Sequence, residues 1–472
     1  MIFTEFSFLI FFAILFPIYW FSTVHQRKYI LLIFSYLFYA WWDWRFIGLL
    51  AGVTTVTWLA KHFYHSYRIR GQTVIGLGLI ILLLQLSIFK YSGFLLEIVT
   101  NIVPNNFLSV NKNKFTLILP VGISFFTFQA MSYLIDVQRK KVETYNSLVE
   151  TALYISFFPQ LVAGPIIRSS VFFPQLYSPK KLSNEDIKIG VNFFLIGYVY
   201  KAIFADKLAP FVDQVFSQPE LYQPQVIWFG LIGFSGQIYF DFAGYSIMAI
   251  GVARLLGYTF PENFNHPYCS VSLIEFWKRW HISLSEWFRD YVYVPLGGNK
   301  KGTKRRAVNL LLTMTLCGLW HGAGWNFIFW GVTHGIGAMI NHWWRNFYIK
   351  KYSGLKTWIL IPICLSWLLT QIFVLISWVP FRTESLSDLL LVFQKMFGLS
   401  DLTPTLEYVA LEVPYLLIML PLVVDTTIGF CKKNLTAYEL PATVYWFSLG
   451  VVLAVALMLI PLESRNFVYF QF

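Results

Sequence analysis

Charge is scarce in this chain of 472 residues. Asp, Glu, Lys and Arg together make up 13% of it, and from Ala307 to Trp344 none of the four occurs. Soluble domains carry about a quarter charged residues. With 57% hydrophobic residues and a mean hydropathy of +0.58, a soluble protein of this length has no means of hiding its apolar surface. The bilayer is therefore the solvent for much of the chain. Cysteine is scarce too. Cys269, Cys317, Cys364 and Cys431 lack metal or redox spacing, which argues against a disulfide framework. No GxSxG elbow, HExxH pair or P-loop occurs, which disfavours a serine hydrolase, a zinc protease or an ATPase. Internal repeats and low-complexity linkers are also missing. Length alone suggests about three soluble domains, but the economical reading is one integral membrane domain over residues 1–472.

Basic and aromatic residues are plentiful. The net charge of +12 is spread over short clusters between apolar runs, such as Arg27-Lys28, Arg139-Lys140-Lys141 and Lys180-Lys181. That pattern reads as the positive-inside bias with attraction to anionic lipid, and not as a nucleic-acid surface. The 18 Trp and 27 Tyr suit rings anchored at membrane interfaces.

A helix needs about 20 apolar residues to cross about 30 Å of hydrocarbon. Candidate spans fall at Phe6–Val24, Tyr29–Trp42, Phe46–Ala60, Gly71–Phe89, Phe115–Ile135, Thr151–Ile167, Val191–Phe204 and Gln225–Ala253. Two more lie within Ala307–Trp344, followed by Thr357–Phe381, Val413–Val424 and Leu440–Leu462. The expectation is an all-α polytopic membrane protein with about 11–13 membrane segments, some broken or re-entrant. The first span, uncharged and without a cleavage site, is expected to be retained. Arg27 and Lys28 after it place its N-terminus outside, periplasmic or extracellular. The charged, aromatic stretch Pro261–Arg306 carries Phe276, Trp280, Leu284 and Trp287 at helical spacing. It is expected to lie along an interface or to plug into the protein.

The uncharged stretch Ala307–Trp344, 38 residues long, would run about 57 Å as one helix, too far for one crossing. Gly322 and Gly324 offer a break. His321, about 22 Å along a helix from Arg306, then sits deep in the membrane, where an ionisable group is a functional candidate. A lone membrane histidine also serves simply to hydrogen-bond a neighbouring helix. The small residues Gly318, Gly322, Ala323 and Gly324, with Trp320 and Trp325 as walls and Asn326 beside them, favour a pocket and a general base. His281, beside Arg279 and Ser283, is the second candidate. His334 ranks lower, and His25, His266 and His342 read as boundary residues. His62 and His65 lack a third ligand, so no metal is expected. Asp241 in "DFAGYS" is expected to line a cavity or pair with a base. "FFPQLVAGPIIR" reads as irregular backbone covered from lipid, ending in Arg168, which suits a phosphate or carboxylate.

Six stretches in order resemble one family: "PVGISFFTFQAMSYLIDV", "FFPQLVAGPIIR", "YFDFAGYS", "ARLLGYTFPENFNHPY", "FWKRWHISLSEWFRDYVYVPLGGNK" and "GLWHGAGWNFIFWGVTHG". They look like the membrane-bound O-acyltransferase family, and most like its bacterial alginate O-acetylation branch. The motif-bearing core covers about residues 120–345. The resemblance implies helices around a central tunnel, with His321 of "WHG" as catalytic residue and His281 of "RWHISLS" as the second family histidine. It implies a bacterial inner-membrane acyltransferase that takes acetyl-CoA as donor substrate, binds no resident cofactor, and passes acetyl to an extracytoplasmic polysaccharide with a periplasmic acetyltransferase partner. Peptidoglycan acetylation and teichoic-acid D-alanylation stand as alternatives, and a lipid or polysaccharide flippase as a rival from another class. Arg279, Trp280 and Ser283 join the expected donor-binding set. Relatives often carry Asp where this chain has Ile247.

Overall fold

An apolar segment in hydrocarbon must satisfy its own backbone polar groups, and a helix does so within itself. The computed structural model describes residues 1–66, 71–102, 117–142, 147–178, 180–352, 360–399, 422–429, 450 and 467–468. Helices account for the regular structure among these residues, with no strand. Five are long and apolar enough to cross a membrane: Val24–Tyr64, Gly71–Thr100, Asn184–Ser217, Pro224–Leu255 and Ile363–Arg382. The chain divides into two units, Met1–Phe194 with Tyr245–Pro261, and Leu195–Gly244 with Glu262–Phe472.

The first unit holds α1 (Phe6–Phe21), α2 (Val24–Asp43), α3 (Ile47–Ser66), α4 (Gly71–Ile102), α5 (Ile123–Gln138), α6 (Leu148–Ser156), the single turn α7 (Phe158–Leu161), α8 (Ser169–Tyr177) and most of α9 (Asn184–Tyr198). Reciprocal caps start two of them. Gln26 reaches back to the Thr23 amide before α2, and Glu150 to the Ser147 amide before α6. Almost every residue of α5 is buried, polar Thr127, Gln129 and Ser132 included, as expected of a helix enclosed on all sides. Gly122 (φ +76°) turns the chain into α5, and a side chain there would meet the Leu161 carbonyl.

The second unit takes the end of α9, then a π-helical turn, Val199–Ala205, and α10 (Asp206–Ser217). It takes the first two-thirds of α11 (Pro224–Leu255), then the short α12 (Leu273–Phe276) and α13 (Ile282–Phe288), and the hairpin of α14 (Gly302–His321) with α15 (Trp325–Tyr352). The helices α16 (Leu360–Ser377), α17 (Val379–Arg382) and α18 (Leu386–Met396) follow. Glycines bring α14 and α15 into backbone contact. Gly331 lies against the Met314 carbonyl and the Thr315 backbone, Gly318 against the Phe327 carbonyl, and Gly335 against Leu311. The outer faces are apolar and exposed at helical spacing, Val308, Leu312 and Leu316 on α14 and Ile336, Ile340 and Trp343 on α15, as lipid-facing stripes are.

Several expected boundaries change. The span placed over Thr151–Ile167 is α6, α7 and an irregular run, all buried. The "FFPQLVAGPIIR" stretch is thus one helical turn, α7, followed by irregular backbone, both held inside protein. The span placed at Phe115–Ile135 starts as a helix only at Ile123. The middle of Pro261–Arg306 plugs into the protein, with Phe276, Trp280, Leu284 and Trp287 all buried, while residues 299–305 are exposed; the four do not share one helix, because the backbone turns through a left-handed residue at His281. The spans placed at Leu440–Leu462, most of Val413–Val424 and the start of Thr357–Phe381 lie outside the described residues. Ala307–Trp344 does break at its glycines, with residues 322–324 between α14 and α15.

The hairpin predicts a specific sensitivity. Gly331→Ala drives a methyl group into the α14 backbone, and overpacking of this kind costs about 1–3 kcal/mol. A thermal melt of detergent-solubilised protein should shift downward, whereas Gly93→Ala, with open space around it, should leave the melt in place.

Candidate active site

His321 is the last residue of α14. The next residue, Gly322, adopts extended backbone (φ −157°), and a side chain on it would collide with the Phe327 ring. Glycine there ends the helix without displacing the start of α15. The His321 ring is 3% exposed. The rings of Trp320, Trp330 and Phe381 stand edge-on to it at centroid distances of 4.9, 5.0 and 5.2 Å. Trp320 reaches His281 as well, at 6.1 Å. One indole thus links the two histidines.

His281 is fully buried, with Phe242 edge-on at 4.6 Å and Phe264 stacked at 6.2 Å. A single oxygen orients it. The Ser283 backbone N–H points at the Asn263 side chain (3.2 Å), and that atom must be the carbonyl Oδ1, because an N–H cannot donate to an NH₂. The same Oδ1 accepts from the Ser283 hydroxyl (2.8 Å) and sits 3.2 Å from His281 Nδ1. Nδ1 therefore carries the hydrogen, and the basic lone pair of His281 is on Nε2. Burial pushes this imidazole, which is not itself on a spanning helix, down to about 3. His281 also holds a left-handed backbone (φ +41°), a conformation costly for a non-glycine residue. It is held by Ile282 N–H to Asn263 O (2.8 Å) and Asn265 N–H to Arg279 O (2.9 Å).

The other candidates fall into supporting positions. Arg279 donates to Glu275 Oε1 (2.9 Å) and to the Asn265 carbonyl (3.1 Å), so its guanidinium ties the loop that carries Asn263. Trp280 is buried against Phe276 and Trp378. Ser283 belongs to the Asn263 cluster, and Asn326 Nδ2 donates to the Thr383 carbonyl (2.7 Å). Trp325, expected as a wall, is 50% exposed; the tryptophan against His321 on α15 is Trp330. Arg168 lies in the first unit, at the start of α8.

Asp241 does pair with a base. Lys201 Nζ lies 2.7 Å from both Asp241 Oδ1 and Asp206 Oδ1, all three side chains almost wholly buried, and the Val468 N–H donates to Asp241 Oδ2 (2.7 Å). Lys201 and Asp206 were legible as charges at the end of an apolar span. A second cluster joins His266 Nδ1 to Asp425 Oδ1 (2.9 Å), which also accepts from Tyr239 (3.0 Å) and Tyr200 (3.3 Å). Among the described residues no group of His, Cys, Asp and Glu could hold a metal ion.

Two buried histidines, both in contact with the Trp320 ring and one of them with a fixed tautomer, thus lie in a helical scaffold that carries several apolar spans. Residues 84–381 match the membrane-bound O-acyltransferase (MBOAT) family, and the chain belongs to it. It is a multi-pass membrane O-acyltransferase. It is 38% identical to the probable alginate O-acetylase AlgI of Azotobacter vinelandii, over 85% of this chain and 79% of that protein. It is 33% identical to the peptidoglycan O-acetyltransferase of Helicobacter pylori, over 79% and 74%. The teichoic acid D-alanyltransferase of Bacillus subtilis is 30% identical over 51% of this chain and 63% of that one.

Two outcomes follow. Asn263→Ala leaves the Ser283 and His281 N–H groups without their acceptor, at about 1–3 kcal/mol for a buried group, so the melting temperature and acyl transfer should both fall, the latter at least tenfold. Acidification should also destabilise the protein through His281. Its folded value of about 3 lies below the ordinary 6.5, so the unfolded chain takes up a proton that the folded chain refuses. Stability is then lost as pH falls below about 6.5, and His281→Gln should flatten that slope in pH-dependent melts.

Proposed function

We propose that this protein takes an acetyl group from cytoplasmic acetyl-CoA and passes it through the bacterial inner membrane for O-acetylation of an extracytoplasmic polysaccharide, an alginate-like exopolysaccharide. One observation carries the mechanism: His321 is buried at a helix break, ringed by Trp320, Trp330 and Phe381, with His281 on the far side of Trp320. The relatives named as alginate O-acetylases, similar over about 85% of the chain, support the acceptor class. The peptidoglycan O-acetyltransferase, similar over nearly as much, supports peptidoglycan as the second reading.

In this reading His321 is the general base. Its ring nitrogen takes the proton of the acceptor hydroxyl, and the oxygen attacks the thioester carbonyl carbon. The C–S bond breaks, and the proton passes from the imidazole to the departing thiolate. Net proton uptake is zero, as ester formation from a thioester and an alcohol requires. A charged imidazolium is costly in a water-excluded site, which favours prompt return of the proton. General-base help contributes about 10²–10⁴-fold. His281, with its lone pair fixed on Nε2, positions the donor or assists the proton transfer. A periplasmic acetyltransferase completes delivery to the polymer, and the N-terminus faces outward.

The test is acetyl ester on surface polysaccharide in cells carrying His321→Ala, with membrane levels checked by immunoblot. A fall of at least a hundredfold is expected. Ester content at the wild-type level overturns the assignment.

A further inference from the structure

The α14–α15 hairpin is closed along one half and open along the other. Gly318, Gly331 and Gly335 bring the backbones together from His321 down to Leu311. Below that point no glycine of either helix meets the backbone of the other. A groove of about 470 Å³ opens between the first turns of α14 and the later turns of α15, and its apolar wall includes Leu310, Met339, Ile340 and Trp343. Ile340 and Trp343 are among the exposed apolar residues of the outer stripe, so the groove continues the lipid-facing surface.

Its mouth is strongly cationic. Lys304 and Arg306 line it; Arg305 adjoins them in sequence, and Arg306 and Arg345 both act electrostatically on His342. Among the described residues, none of Lys304, Arg305, Arg306 and Arg345 has an ion pair with a carboxylate, although Arg279, Arg289 and Arg382 of the same unit each have one. Lys304 and Arg306 line one groove without a carboxylate partner among the described residues, and like charges placed together repel. An anion supplied from outside relieves that repulsion.

We propose that this groove is a binding site for an anionic phospholipid, its phosphate between Lys304 and Arg306 and one acyl chain along Leu310, Met339 and Ile340. The occupant must carry negative charge at the cationic mouth and hydrocarbon on the apolar wall, at a membrane boundary. A glycerophospholipid with a net charge meets all three conditions. Phosphatidylcholine lacks the net charge. The groove lies toward the end of the hairpin opposite His321. This inference is independent of the proposed acyl donor and acceptor.

The test uses full-length protein in nanodiscs of mixed phosphatidylcholine and phosphatidylglycerol, with retained lipid identified by native mass spectrometry. Wild type should hold phosphatidylglycerol in preference to phosphatidylcholine. A cation near an anionic headgroup is worth about fivefold in affinity, so Lys304→Gln with Arg306→Gln should weaken retention about thirtyfold. The charge-preserving Lys304→Arg with Arg306→Lys should keep it, which separates loss of charge from loss of fold, and so should Arg139→Gln with Lys141→Gln in the other unit. Equal retention of the two lipids, or wild-type retention by the neutralised variant, overturns the proposal. Displacement of the lipid by free coenzyme A at matched concentration overturns it as well, because the groove would then belong to a soluble phosphate ligand.

Discussion

The polar side chains at the centre of the second unit are almost wholly buried, and burial makes each partner they find in protein count. The cost of failing is large: an unsatisfied buried group forfeits about 1–3 kcal/mol, and an unpaired charge more. This constraint explains why single atoms serve as hubs. Asn263 Oδ1 gathers His281, the Ser283 hydroxyl and the Ser283 amide. Lys201 Nζ bridges two carboxylates, and Asp425 Oδ1 gathers an imidazole and two phenols. Each hub joins residues distant in the chain, so each both satisfies polar groups and fixes where one element lies against another.

The Lys201 cluster shows how this reaches the candidate site. Asp241, held by Lys201 and by the Val468 amide, is followed by Phe242, whose ring packs edge-on against His281 at 4.6 Å. A π-helical turn carries Lys201, and such turns commonly re-aim one side chain out of the regular helical phase. Replacing a buried ion cluster with apolar residues is often neutral for stability, whereas removing one member is not. Lys201 is thus better understood as a residue that sets the register of α11 beneath His281 than as a store of stability.

Much of this was legible in the residues alone, and the limits have physical causes. The glycine break in Ala307–Trp344 followed from length: 38 uncharged residues exceed one crossing. The plug at Pro261–Arg306 had an apolar period that proved buried, but the left-handed turn at His281 was hidden, because no composition signal marks a strained non-glycine residue. The pairing of Lys201 is silent in the sequence, since a span tolerates one charge near its end and hydropathy does not reveal its partners. Asp425 lies 184 residues further along than Asp241 in number, and nothing local to either announces His266. The two-unit division likewise cuts through α9 and α11, where hydropathy is continuous.

Trp325 and Trp330 show the same limit at finer scale. Both follow the glycine break, and sequence cannot say in which phase the helix restarts. The structure restarts it at Trp325, so Asn326, Trp330 and His334, spaced by four, share the buried face while Trp325 lies about 100° away from Asn326. That phase creates a line of rings: His321 to Trp330 at 5.0 Å and Trp330 to His334 at 4.5 Å. The line ends in a fixed hydrogen-bond direction. Ser377 Oγ donates to the Val374 carbonyl (2.6 Å), so toward His334 Nε2 (3.0 Å) it can only accept. His334 Nε2 therefore carries the hydrogen and Nδ1 the lone pair. The two supporting histidines thus have opposite tautomers, each set by one oxygen on a neighbouring element. In each case the hydrogen bond that fixes the tautomer also fixes the ring's direction, so the free ring nitrogen points one way only.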